Sequence, residues 1–100
     1  MTCKHVFTIL LPEGGKGVQE LHEPIEMIGH FRTGEILPCR FRWKNRVYHI
    51  SRVSSCWESR EGVYRRYHYV VRTRDEDVYE LHFELENMTW MLDYDYSQGA

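Results

Sequence analysis

Apolar and polar residues alternate along most of the chain from residue 40 onward, which is typical of β-strands that bury one face. The alternation begins with Phe41 and Trp43, and Tyr48 and Ile50 continue it after a two-residue loop predicted at Asn45–Arg46. This loop sets Trp43 opposite Tyr48. Phe41 then lies opposite Ile50, so the pattern predicts a β-hairpin with one aromatic face.

Three further segments alternate in the same way, at residues 64–73, 78–85 and 90–96, with short turns at 75–77 and 86–89. The five strands predict a mainly β fold, either a strongly bent antiparallel five-stranded meander or a partly open small barrel, because a shared aromatic face must be covered. The predicted core comprises Phe41, Trp43, Tyr48, Ile50, Val53, Tyr67, Tyr69, Val71, Tyr79, Leu81, Phe83, Leu85, Trp90, Leu92 and Tyr94.

The first 35 residues have a weaker pattern. Residues 5–11 and 24–28 favour short strands, residues 12–17 a loop, and residues 18–23 either a strand or a helical turn. One or two extra N-terminal strands are therefore predicted beside a meander of residues 36–96. Residues 54–62 are predicted to form a longer connection, whose shape the pattern does not define. No linker or repeat interrupts the sequence, so residues 1–100 are predicted to form one domain.

The composition is that of a small globular domain, with 42% apolar and 14% aromatic residues among 100. A core of this kind needs no metal or disulfide framework. Cys3, Cys39 and Cys56 have no C-x-x-C spacing and predict free, mostly buried thiols in a reducing compartment. The longest apolar run, residues 6–11, is too short for a membrane span or a signal peptide. We therefore expect a cytoplasmic protein without a membrane partner.

The charge of the chain is divided between two segments. Residues 38–74 carry ten Lys or Arg against Glu58 and Glu61, a net charge of +8, whereas residues 75–100 carry eight acids and no Lys or Arg. Basic strands with aromatic neighbours are typical of domains that bind single-stranded nucleic acid, and an acidic protein partner would suit the same charge. The candidate contact residues are Arg40, Arg42, Lys44, Arg46, Arg65, Arg66 and Trp57.

The same charges could instead neutralise one another within the sheet. A three-residue turn at 75–77 would set Arg72 opposite Glu80, and such cross-strand pairs contribute about 0.2–1 kcal/mol each. The hairpin of residues 40–46 is two strands removed from the acids and would keep its positive field. The acids would form an exposed carboxylate face made of Glu80, Glu84, Asp93 and Asp95.

Outward-facing histidines on three strands offer a second chemistry. His49, His68 and His82 fall on the polar face, where the predicted turns set His68 opposite Glu84 and His82 opposite Asp93. Zinc needs three or four converging ligands, and no H-E-x-x-H, H-x-H or C-x-x-C motif supports convergence here. The sequence therefore predicts no metal or other cofactor. A metal-dependent hydrolase that uses these three histidines remains an alternative.

No catalytic motif is present in the sequence. The glycine cluster at residues 14–17 lacks the spacing of a phosphate-binding loop, and no serine or cysteine has the surroundings of a nucleophile. We therefore predict a non-catalytic binding module rather than an enzyme, with no catalytic residue. A homo-oligomeric structural or interaction protein, such as a homodimer joined by edge strands or by the His/acid face, is the further alternative.

Residues 38–50, together with Val53 and Trp57, resemble a family of small bacterial β-rich domains of unknown function, and the resemblance continues through residues 67–71, 78–81 and 90–92. The family pattern is an R-F-x-W-x-x-R-x-Y-x-[VI] hairpin, then a Trp, a V-Y-[ED]-L strand and W-x-L. This chain has Asn45 where Gly is usual, and its leader, residues 1–20, has no counterpart. The resemblance implies a β-rich fold, and some members' place among DNA-maintenance genes is compatible with a nucleic-acid partner.

Overall fold

Six antiparallel strands form a closed barrel in the computed structural model, which describes residues 18–96. Each strand pairs with the next along the chain, and the first closes the ring on the last. The strands are β1 (Gln19–Arg32), β2 (Glu35–Trp43), β3 (Arg46–Glu61), β4 (Tyr64–Thr73), β5 (Val78–Glu84) and β6 (Thr89–Asp95). The mainly β prediction is confirmed, and β1 is an N-terminal strand added to the predicted five. The strand and loop predicted at residues 5–17 lie outside the described residues.

The strands β1 and β3 are longer than the sequence pattern indicated. Residues 18–28 were predicted as two separate short pieces, and residues 54–62 as a connection, yet 19–28 belong to β1 and 54–61 to β3. Two register shifts in β3, on either side of Arg52, break the alternation on which the prediction depended. The hydroxyl of Ser51 fixes the first shift by donating to the carbonyls of Arg72 and Thr73, at 3.0 and 3.3 Å.

The turn between β2 and β3 comprises Lys44 and Asn45, both with positive φ, 52° and 62°. Two central residues with positive φ are the mark of the type I′ turn, which matches the twist of the flanking strands. Trp43 therefore pairs with Arg46. The loop predicted at Asn45–Arg46 and its strand register are wrong: Phe41 pairs with Tyr48 rather than with Ile50. The two registers differ by two residues, so the same side chains still face inward.

The barrel interior is dominated by aromatic side chains. Phe41 stacks on Tyr48 with ring centroids 4.9 Å apart, and the edge of Tyr79 meets Phe41 at 5.6 Å. Phe83 and Tyr69 flank the indole of Trp90. The buried core comprises Phe41, Tyr48, Cys56, Tyr67, Tyr69, Val71, Tyr79, Leu81, Phe83, Trp90 and Leu92, with Trp43, Ile50, Val53 and Leu85 partly buried against it. Every predicted core residue except Tyr94 is therefore in or against the core.

Tyr94 is the predicted core residue that faces outward. The pairing of β5 with β6 shifts after Leu81, so that Asp93 is an extra residue and Tyr94 lies opposite Glu80. The extra residue inverts the alternation beyond it. Tyr94 accordingly stacks on Tyr96, and Asp95 takes the buried position. The prediction for Tyr94 is wrong because a bulge has no signature in the apolar pattern.

The two described cysteines differ from the prediction of free, mostly buried thiols. Cys39 is free but exposed, and Cys56 is fully buried and disulfide-bonded. Over residues 18–96, no helix has the length and apolarity that crossing a membrane requires.

The turn between β5 and β6 gives a stability prediction, because Met88 is 69% exposed and has a φ of 57°. A non-glycine side chain in the left-handed region costs about 1–2 kcal/mol. Met88→Gly should therefore raise the free energy of unfolding by about 1 kcal/mol, measured by urea denaturation. The control is Val63→Gly at a turn residue that is 79% exposed and has no positive φ, which should lower stability. A loss of stability in Met88→Gly would contradict the prediction.

Candidate functional site

The outer surface of β1, β2 and β3 carries two arginines in a fixed arrangement. Arg40 and Arg42 point away from the interior because Phe41, between them, is buried. Their cross-strand neighbours are His49 and Val47 on β3 and Ile28 and Glu26 on β1. These six residues are called the basic face below, and they line a groove of about 500 Å³.

The two arginines of the basic face form one weak ion pair among the described residues. Arg42 lies 3.6 Å from the carboxylate of Glu26, with both side chains exposed, and such pairs contribute about 0–1 kcal/mol. Arg40 forms no ion pair with any residue in the described range 18–96. Ile28 and Val47 expose 54% and 49% of their surface in the same groove. The face therefore offers two accessible guanidinium groups beside apolar side chains.

The two remaining hairpin cations lie at the tip beside the groove. The ammonium of Lys44 is 4.8 Å from the ring centroid of Trp43, and the guanidinium of Arg46 is 5.1 Å from that of Tyr48. Arg46 also approaches the carboxylate of Asp75 at 3.7 Å. These cation–π contacts hold the side chains on the hairpin without neutralising them.

Arg65, Arg66 and Trp57 do not join the hairpin group, because they lie near the opposite end of β3 and on the start of β4. Arg65 donates to the carboxylate of Glu58 at 2.8 Å and holds the pKa of that carboxyl below its usual value. The guanidinium of Arg66 lies 3.5 Å from the carboxylate of Glu61 and 3.7 Å from that of Glu84. The indole of Trp57 stacks face to face on the imidazole of His68, with ring centroids 5.1 Å apart. The predicted contact residues therefore form two separate groups.

Three ion pairs join the two charged segments among the described residues: Arg46–Asp75, Arg66–Glu84 and Arg72–Glu76. Arg72 lies opposite Val78 rather than Glu80, so that predicted pair is wrong, and Arg72 instead contacts Glu76 at 3.3 Å. Glu80 accepts a hydrogen bond from Tyr96 at 2.7 Å. The carboxylate face is also less exposed than predicted, since Asp93 and Asp95 are both buried. Of the four hairpin cations, Arg46 alone contacts the acidic segment among the described residues, at Asp75.

A second group of polar residues lies on the outer surface of β4, β5, β6 and β1. His68 and His82 are cross-strand partners with ring centroids 5.5 Å apart, so the predicted pairs His68–Glu84 and His82–Asp93 are wrong in register. The bulge at Asp93 nevertheless brings its carboxylate to the Nδ1 of His82, at 2.6 Å. His49 lies on the basic face, and the three predicted histidines therefore do not converge.

His22 completes this group, which is called the histidine cluster below: His22, His68, His82 and Asp93. Its Nδ1 lies 3.3 Å from the carboxylate of Asp93, and its Nε2 lies 2.7 Å from that of Glu20. His22 has a φ of 52° at a register shift of β1 against β6. No local pattern in the sequence reveals that bulge, so His22 was not among the predicted site residues, although histidine tolerates positive φ better than most residues.

The two central histidines of the cluster differ in protonation. Burial, together with the neighbouring His82, lowers the pKa of His68 to about 4, so its ring is neutral at neutral pH. Burial also opposes the charge on His82, but hydrogen bonds to Asp93 and Glu84 raise the pKa of His82 above its usual value. The hydrogen bond from His82 lowers the pKa of Glu84 in turn. The cluster therefore combines a neutral imidazole with an imidazole that readily accepts a proton.

Comparison of the chain with models of protein families, with curated proteins and with solved structures finds no match. The resemblance to a bacterial family therefore stays a prediction, and the candidate sites stand on their own geometry.

Proposed function

We propose that this protein is a non-catalytic module that binds single-stranded nucleic acid on the basic face. The observation that supports this most is the outward pair Arg40 and Arg42 in a groove with exposed apolar walls. Two residues apart on one strand, they are separated by about 6.8 Å along it, so both can contact one backbone. Arginines that follow phosphates beside surfaces that contact bases are the usual means of binding single strands.

The groove suits a nucleic acid better than an acidic protein. Ile28 and Val47 provide apolar contact for bases, and the imidazole of His49 lies directly across from Arg40. An acidic peptide would satisfy the arginines but would need apolar side chains at matching positions to contact Ile28 and Val47, whereas every base of a nucleic acid has an apolar face. The acids of β5 and β6 lie on other strands, so the overall net charge of −2 does not describe the field at the hairpin.

Salt dependence of binding tests the proposal. Contacts from four cations (Arg40, Arg42, Lys44 and Arg46) to a single strand should give a slope of log K against log salt of about −2.8. Affinity for a fluorescent oligothymidylate, measured by anisotropy, should therefore fall about 50-fold between 50 and 200 mM salt. No anisotropy change at tens of micromolar protein in 50 mM salt would reject the proposal. Displacement by polyglutamate at equal charge concentration would favour an acidic protein partner instead.

A cytoplasmic location belongs to the same proposal, because a nucleic-acid partner is found there. The disulfide at Cys56 is the observation that speaks against it, since structural disulfides are rare in reducing compartments. Counting thiols in protein that is alkylated during lysis in denaturant, which exposes the buried Cys56, distinguishes the two. An alkylated Cys56 would support the cytoplasm, and a protected Cys56 would support an oxidising compartment.

A further inference from the structure

We propose that His68, His82 and Asp93 form a binding site for a divalent transition-metal ion of the zinc type, with His22 as the fourth ligand. One ligand atom from each of the first three residues lies within 4.8 Å of the others. Two imidazoles and a carboxylate are a donor set that zinc accepts in tetrahedral sites. The site belongs to a different face from the basic face, so it does not depend on the nucleic-acid proposal.

The Nε2 nitrogen of each histidine already has a hydrogen-bond partner outside the proposed ligand set. The Nε2 of His68 lies 2.7 Å from the hydroxyl of Ser59, and the Nε2 of His82 lies 3.0 Å from the carboxylate of Glu84. The Nε2 of His22 lies 2.7 Å from Glu20. Metal-ligating histidines almost always have such a partner on the second nitrogen, which fixes the ring. In each ring this arrangement leaves Nδ1 as the candidate ligand atom.

The Nδ1 of His68 gives an independent reason to expect a ligand. It is buried and has no hydrogen-bond partner among the described residues. A buried polar atom left unsatisfied is costly, so such an atom calls for an explanation. Its neighbours across the sheet are the His82 ring and the Asp93 carboxylate, the two other ligand groups. A metal ion at their common centre would satisfy the lone pair of Nδ1.

Formation of the site requires the side chains to rearrange, because the three ligand atoms are within 4.8 Å of one another rather than at the spacing of zinc ligands. The Nδ1 of His82 and the Oδ2 of Asp93 are 2.6 Å apart, whereas two ligands of a tetrahedral zinc ion are about 3.3 Å apart. The hydrogen bond between them must therefore open as the metal replaces its proton. Two bulges set the positions of Asp93 and His22, and bulges commonly redirect side chains beside functional sites. The His22 side chain is half-exposed, and among the other three ligand residues it contacts Asp93, so it would close the site from the solvent side.

Titration of tag-free protein with Zn²⁺ or Co²⁺ tests the site. We expect one equivalent to bind, a rise in the melting temperature, and a Co²⁺ absorption spectrum of tetrahedral intensity. Glu84→Gln, which removes a partner of a ligand rather than a ligand, should weaken binding about 10–100-fold. His68→Gln and His82→Gln should weaken it more, and His22→Gln less than either. Wild-type protein that binds no metal at 100 µM, while folded, would overturn the proposal.

His49→Gln is the matched control, since this histidine lies on the basic face. It should leave the metal affinity within about twofold of wild type while the cluster variants lose it. Equal losses in His49→Gln and His68→Gln would place the metal elsewhere and reject the site. If His68→Gln fails to fold, the metal affinity of Glu84→Gln tests the site instead, because the carboxylate of Glu84 lies at the edge of the cluster. An unchanged affinity in Glu84→Gln together with an unchanged affinity in His22→Gln would also reject it.

Discussion

Replacing both Arg40 and Arg42 by glutamate should lower the affinity for single-stranded nucleic acid about 100-fold or more at 50 mM salt. Each lost charge-assisted contact costs about 1.5–3 kcal/mol, and a loss of 3 kcal/mol already exceeds a factor of 100. The two new carboxylates would also join Glu26 on the basic face and repel phosphates. The salt slope should fall by about 1.4, because two of four phosphate contacts disappear. Anisotropy titrations at several salt concentrations measure both quantities.

The matched control is Arg60→Glu/Arg65→Glu, which changes the net charge equally at a place where the two residues face each other across β3 and β4. This variant should keep the affinity within a few-fold of wild type. Equal losses in the two double variants would mean that binding follows overall charge and has no defined face. Both variants should remain folded by circular dichroism, because the exposed ion pairs that they remove contribute little to stability.

The sequence predicted the fold wherever strict alternation continues from turn to turn. Phe41, Tyr69, Leu81 and Leu92 all occupy the predicted inward positions, because period-two burial needs only the correct face and tolerates a register shift of two. The type I′ turn was misplaced since Lys44 is an uncommon residue at positive φ. Alternation therefore predicted the faces of the strands more reliably than their pairing.

The residues of the histidine cluster were harder to predict because bulges decide their positions. Each bulge adds one residue, and no apolar pattern marks where it falls. His22 and Asp93 meet only because β1 and β6 are each shifted beside them. The pairing of residues 40–43 with residues 46–49 has no register shift, so Arg40 and Arg42 lie on the outward face that the alternation predicts. What the sequence could not reveal is that Arg65 and Arg66 have carboxylate partners at the other end of β3.

The strand β2 connects stability to the proposed function, since it buries Phe41 and presents Arg40 and Arg42 on its other side. Within the hairpin, β2 pairs with β3 through four residue pairs, from Arg40–His49 to Trp43–Arg46. The stacking of Phe41 on Tyr48 lies within this short ladder. The position of the two guanidinium groups therefore depends on packing inside the barrel as much as on the hydrogen bonds between the strands.

Phe41→Ala should lower the free energy of unfolding by about 3–5 kcal/mol, a large part of the 5–15 kcal/mol typical of a small domain. Phe41 is 1% exposed, so its removal leaves a cavity between Tyr48 and Tyr79. Urea denaturation at constant slope measures the loss. Phe31→Ala is the matched control, because that ring is 58% exposed and its removal should cost about 0.5 kcal/mol or less. Similar losses in the two variants would contradict a core built on the inward face of β2, whereas a selective loss in Phe41→Ala should be accompanied by weaker nucleic-acid binding.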